Sequence, residues 1–118
     1  MIEIEAPPEL VAPAEAALEA VGVDEGHVSI ELVDAGRIAA LNSEHRGKEG
    51  PTDVLSFPVD GIGPVVGPRE LGDVVICPEH TVDVPEAVVH GVLHLCGYDH
   101  EADGGEMLEL QDRIVAAL

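Results

Sequence analysis

The sequence predicts an α+β fold in one domain. Three observations point there. Short stretches with an apolar residue at every second position read as strands, and longer stretches with apolar residues three and four apart read as helices. The two kinds are mixed without a strict β-α-β alternation. The length of 118 residues is close to the common size of one domain, and 46% of the residues are apolar, enough to build a core. The expected architecture is therefore one domain over residues 1–118, a small mixed sheet packed against helices.

The elements follow in order. "MIEIE" alternates apolar and acidic residues and reads as a short strand. "PPELVAPAEAALEAVG" carries Leu10, Ala14, Ala17, Leu18 and Val21 on one stripe and stops at Gly22. Pro13 lies inside it, so the helix is expected to start near that residue. "HVSIELV" alternates Val28, Ile30 and Leu32, a strand. In "DAGRIAALNSEHRG", Asp34 is the expected cap, Ile38 and Leu41 share a face, and Gly47 ends the helix. "TDVLSFPV" and "GDVVIC" are two further strands, with the Gly/Pro-rich "DGIGPVVGP" as a loop or hairpin between them. "DVPEAVVHGVLHLCG" is a helix. Asp83 is its expected N-cap, with Glu86 at the capping-box spacing, Pro85 in the first turn and Gly97 at the C-terminal cap. From about Gly105, Met107, Leu110, Ile114 and Leu118 share a face and make a closing amphipathic helix.

With one Phe (Phe57), one Tyr (Tyr98) and no Trp, the core has to be built from Val, Leu, Ile and Ala. The two cysteines, Cys77 and Cys96, are too few for a disulfide framework and read as small buried residues. The start "MIEIEAPPEL" lacks the basic and apolar regions of a signal peptide, and no run is long enough to span a bilayer. A cytoplasmic location is expected, with no membrane partner and no organic cofactor.

The formal charge is −19, with Lys48 and four arginines against 24 acidic residues. Taken alone, such a surface repels phosphate backbones and argues against nucleic acid as a partner.

The densest chemical signal is "HGVLHLCGYDH", which begins at His90. Its spacing, H-x-x-x-H-x-x-G-x-x-H, is the zinc frame of metzincin proteases with Gly91 where those have glutamate. His90 and His94, four apart on a helix, present both imidazoles on one face. Gly97 breaks the helix and lets the chain return His100 to the same point. Three imidazoles with an open fourth position describe a catalytic rather than a structural zinc site. Cys96 is two residues from His94, on about the opposite helix face, and is a poor ligand. His27, His45 and His80 read as structural or solvent-facing.

Gly91 weakens a protease reading, because the glutamate of that frame takes the proton from the attacking water. Asp99 and Glu101 could replace it, but read as surface charge. A metal-activated water attacking a phosphodiester needs less help. It also needs a cation for the phosphoryl charge, a role that suits arginine. "LNSEHRGKEGPTDVLSFP" holds Arg46 and Lys48, two of the five basic residues, in what reads as a loop before a strand. Asp53 and Asp73 read as turn-fixing or as supporting a histidine. Ser56 and Phe57 could face a cleft, with core packing the stronger reading for Phe57.

Three stretches, "LNSEHRGKEGPTDVLSFP", "LGDVVICPEH" and "HGVLHLCGYDHE", occur in the order found in the YbeY family of metal-dependent endoribonucleases. The chain resembles that family over roughly residues 37 to 110. The resemblance implies a zincin-like α+β fold with the zinc-binding helix near the C-terminus. It implies one zinc ion on His90, His94 and His100, and Arg46 as the catalytic cation in the cleft. It also implies cleavage of single-stranded RNA, with an rRNA precursor as substrate, a role in small-subunit rRNA maturation and ribosome quality control, and ribosomal particles or proteins as partners. One departure is that only twelve residues separate Cys77 from His90, where family members commonly carry a longer segment with an extra helix. Two other readings fit the same residues: a non-catalytic ribosome-assembly factor with structural zinc, and a zincin-type metalloprotease.

An acidic, lysine-poor composition suits a salt-rich cytoplasm, where self-repulsion is screened. Stability against urea should therefore rise with added salt, and full stability in dilute buffer would count against that reading.

Overall fold

The computed structural model describes residues 2–60 and 64–118. The order is β1 (Ile2–Glu5), α1 (Pro8–Val21), β2 (Gly26–Leu32), α2 (Ala35–Arg46), β3 (Val54–Pro58), β4 (Glu70–Ile76), a 3-10 turn at Pro78–His80, α3 (Val84–Leu95) and α4 (Glu106–Ala116). The centre of the expected Gly/Pro loop, residues 61–63, lies outside the described residues.

Four strands form one mixed sheet in the order β1-β2-β4-β3. β1, β2 and β4 are parallel, and β3 runs antiparallel to β4 at the edge. β4 carries buried residues on both of its faces. Val74 and Ile76 of β4 face one cluster with α1, α3 and α4, while Val75 and Cys77 face a second cluster with Ile38 of α2 and Leu55 of β3. β4 therefore reads as a near-continuous apolar run because both of its faces are covered. Its neighbour β2 keeps alternation, with Val28 and Ile30 buried.

The core is aliphatic, as the composition requires. Each fully buried Val or Leu contributes about 1.5–3 kcal/mol relative to exposure. A set such as Leu71, Val74, Val88, Val92 and Leu95 can thus do without aromatic anchors. Among the described residues, no helix is long and apolar enough to cross a membrane.

Three expectations need correction. α1 begins at Pro8, not near Pro13, which is buried inside the helix. Proline is tolerated there because the carbonyl it leaves without a donor belongs to Glu9, which is exposed and open to water. Leu32 ends β2 at 37% exposure, beyond the cover of either cluster. Leu118 follows the end of α4 and is exposed, while Gln111 takes a buried place on that helix's inner face.

A charged clamp crosses the sheet at His27 on β2. Its Nε2 lies 2.9 Å from Glu5 Oε1 on β1, and its Nδ1 lies 2.6 Å from Glu70 Oε2 on β4. Only an imidazolium donates through both nitrogens at once. The Glu5 bond first, then Glu70, raise the pKa above 6.5 against an opposing desolvation. A raised folded pKa gives stability that is fully present below the unfolded value of 6.5 and is lost as pH rises through the folded value. The stability gap between the native chain and His27→Gln, measured by urea unfolding, should be larger in mildly acidic than in alkaline buffer. An equal gap would show that the clamp carries no charge.

Candidate metal centre

The local sequence builds the site from helix ends. The side chain of Asp83 accepts from Glu86 N–H at 3.0 Å and starts α3. Pro85 falls in the first turn, where it removes no helical bond. At the other end Gly97 takes a left-handed φ of 95°. Tyr98 N–H then donates to Leu93 O at 3.1 Å and Gly97 N–H to His94 O at 3.0 Å, the paired bonds of a Schellman stop. The chain reverses, Asp99 caps Glu101 N–H at 3.0 Å, and His100 arrives beside the helix.

The three rings meet. Centroid separations are 4.7 Å for His90–His94, 5.2 Å for His90–His100 and 5.4 Å for His94–His100. One nitrogen from each lies within 4.8 Å of the others.

The hydrogen bonds say which nitrogens are available. His94 Nδ1 donates to Tyr98 O at 2.9 Å, and His90 Nδ1 donates to Gln111 Oε1 at 2.7 Å. In neutral rings that leaves both Nε2 atoms as lone pairs, and they lie 3.2 Å apart. Two lone pairs facing one another at that distance are unfavourable unless a cation lies between them. Tetrahedral zinc with nitrogen at about 2.0–2.1 Å sets its ligands about 3.3 Å apart, so the donor set fits that ion. Burial first, then neighbouring His90, lower the His94 pKa, an effect opposed by its bond to Tyr98 O. The ring is thereby kept neutral, the form that ligates.

The cluster opens on a cavity of about 500 Å³ whose lining includes Arg46, Asp53, Ser56, Asp99 and Glu101. Arg46 is not in a loop as expected. It is the last residue of α2, held at a helix C-terminus where a cation is favoured. Among the described residues lining the cavity it is the sole Lys or Arg. Lys48 and Arg37 do not line it. Asp53 accepts from Thr52 Oγ and from Val54 N–H, which fixes the entry into β3. Phe57 packs with the second core cluster and meets the His45 ring edge-on at 5.0 Å, so core packing is the correct reading for it. Cys96 is buried, which pushes its thiol up to about 11, and it stays outside the cluster.

Sequence reasoning missed Gln111 and the Tyr98 carbonyl. Gln111 had a signal: it is a polar residue between Met107 and Ile114 on an otherwise apolar stripe. The carbonyl had none, because its direction is set by the Schellman turn.

Gly91 has a steric explanation. A Cβ there would lie 2.5 Å from Val74 Cγ1 and 3.2 Å from Ser56 Oγ. Ser56 Oγ also donates to Gly91 O at 3.0 Å. The position after the first histidine faces the sheet, and α3 rests on β4 with no room for a side chain.

A sequence model described as "Endoribonuclease YbeY" matches residues 8–118. The chain belongs to the YbeY endoribonuclease family. The match extends N-terminally beyond the motif-bearing region. Among relatives named Endoribonuclease YbeY, that of Persephonella marina is 41% identical, covering 82% of this chain and 73% of the relative. That of Salinispora tropica is 39% identical, covering 92% and 85%. The solution structure of TM1509 from Thermotoga maritima is similar with a TM-score of 0.56 at 30% identity, covering 98% of this chain and 87% of that one. The family is named for endonucleolytic cleavage of RNA, so the expected enzyme class, a hydrolase of RNA phosphodiester bonds, is borne out.

Overpacking a core costs about 1–3 kcal/mol. Replacing helical glycine by alanine returns about 1 kcal/mol of propensity. With a 2.5 Å approach the clash prevails, so Gly91→Ala should unfold at lower urea concentration with unchanged slope. Stability equal to the native chain's would refute the steric account.

Proposed function

We propose that this chain is a zinc-dependent endoribonuclease that cleaves single-stranded RNA, acts in small-subunit rRNA maturation and ribosome quality control, and works in the cytoplasm on ribosomal particles. The observation that carries the metal chemistry is the pair of histidine Nε2 atoms 3.2 Å apart, with both Nδ1 positions already donating. Family membership supports the reaction class. The arrangement reads as zincin-like, with the metal helix beneath an edge strand and residues 1–118 as one YbeY-like domain.

His90, His94 and His100 are the residues that would hold zinc. A zinc ion there supplies Lewis acidity, which makes water nucleophilic near neutral pH and draws charge from a phosphoryl oxygen. The chain's own residues do the rest. Arg46 reaches the same cavity with its guanidinium, and stabilises the negative charge that builds on the non-bridging oxygens. The bonds from His90 and His94 to Gln111 and Tyr98 hold the rings in place, so little reorganisation remains at the moment of reaction. Asp99 and Glu101 line the same cavity. With Gly91 packed against β4, a zincin protease's glutamate has no place here.

The test separates metal from charge. His94→Ala should lose zinc and RNA cleavage together. Arg46→Ala should keep a full equivalent of zinc and lose roughly 10²–10³-fold in turnover, the scale for removing one charge-stabilising donor. Normal cleavage of a single-stranded RNA by Arg46→Ala would overturn its assignment. A metal-loaded native chain that binds ribosomal particles and cleaves nothing would favour an assembly factor.

A further inference from the structure

We propose that Gln111 is a positioning residue: its amide oxygen fixes the tautomer and direction of the His90 ring, and so ties α4 to the metal centre. This rests on the reading of His90 as a ligand. Gln111 is 7% exposed on the inner face of α4, flanked by Met107 and Ile114, which are buried in the main core. A buried amide on an apolar stripe is costly unless bonded. Its partner is His90 Nδ1 at 2.7 Å, across the contact between α4 and α3.

The direction of that bond matters. With Gln111 Oε1 accepting, His90 carries its proton on Nδ1 and turns the Nε2 lone pair toward His94 and His100. With the amide reversed, His90 would be protonated on Nε2 and would close the site against a cation by donating to His94 Nε2. His94 has an acceptor that cannot reverse, the Tyr98 carbonyl. Gln111 therefore controls the one helix ligand whose tautomer a side chain decides. It does so without charge, whereas ligating histidines often bond a carboxylate.

Three variants test this, with two readouts. Zinc affinity is measured by competition with a chelator, and the His90 tautomer by ring-nitrogen NMR of the metal-free chain in mildly alkaline buffer. Gln111→Leu keeps the apolar packing and removes the acceptor. Gln111→Asn keeps the amide and withdraws it by one methylene. Both should hold zinc about 10–100-fold more weakly, and both should show His90 mixed between tautomers. Gln111→Glu restores an acceptor at the right reach and should hold zinc at least as tightly as the native chain. A purely structural role would lower thermal stability without changing the tautomer and would not be rescued by Gln111→Glu. If Gln111→Leu fails to fold, Gln111→Asn decides. Native zinc affinity in Gln111→Asn, or His90 protonated on Nε2 in the native metal-free chain, would overturn the proposal. A native chain with His90 protonated on Nδ1 that binds no zinc would instead sink the metal reading and leave the role of Gln111 standing.

Discussion

α3 lies so close to β4 that no side chain fits between them at Gly91. The rest of the site depends on that approach. It presses α3 against Val74 and the Ser56 hydroxyl, and so holds His90 and His94 beneath the edge strand β3. α3 also packs against α4, where Gln111 meets His90. The close approach at Gly91 also removes the position from which a protease of this spacing takes its base. One steric condition thus sets both where the histidines stand and which chemistry they can share.

The charge of the chain looks hostile to RNA, yet distance decides how much of it a substrate feels. A unit charge at 4 Å interacts by about 4 kcal/mol at an effective dielectric constant of about 20. Exposed carboxylates beyond about 8 Å are largely screened at physiological salt. On the proposed reading, a phosphate in the cavity would be governed by its immediate lining, where Arg46 and a metal ion held by the three histidines would oppose Asp53, Asp99 and Glu101. With few lysines and few aromatic rings in the chain, neither a broad basic surface nor base stacking is available as the main grip.

The helix ends carry more of the site than the helix interiors. Asp83 sets where α3 begins, Gly97 sets where it turns, and the Schellman bonds point the Tyr98 carbonyl at His94. Arg46 owes its place to the end of α2, terminated by Gly47 at a left-handed φ of 65°. The capping residues Asp83, Gly97 and Gly47 have strong local preferences and were legible in the sequence, whereas the direction of the Tyr98 carbonyl was not.

By itself, the sequence determined the strands and helices, their caps, the aliphatic core and the three histidines, because each rests on local periodicity or on spacing within one turn and one reversal. It also placed Arg46 near the site through its motif, though in a loop rather than on α2. Tertiary structure alone decided the rest. The parallel order β1-β2-β4 with β3 turned against it depends on pairing between distant segments. Gly91 looked like a missing base, and only its distance to Val74 showed a packing requirement. Gln111 looked like an interruption in an apolar stripe until α4 lay across α3. Spacing along one chain specifies which side chains share a face, but not which face of another element will come to meet them.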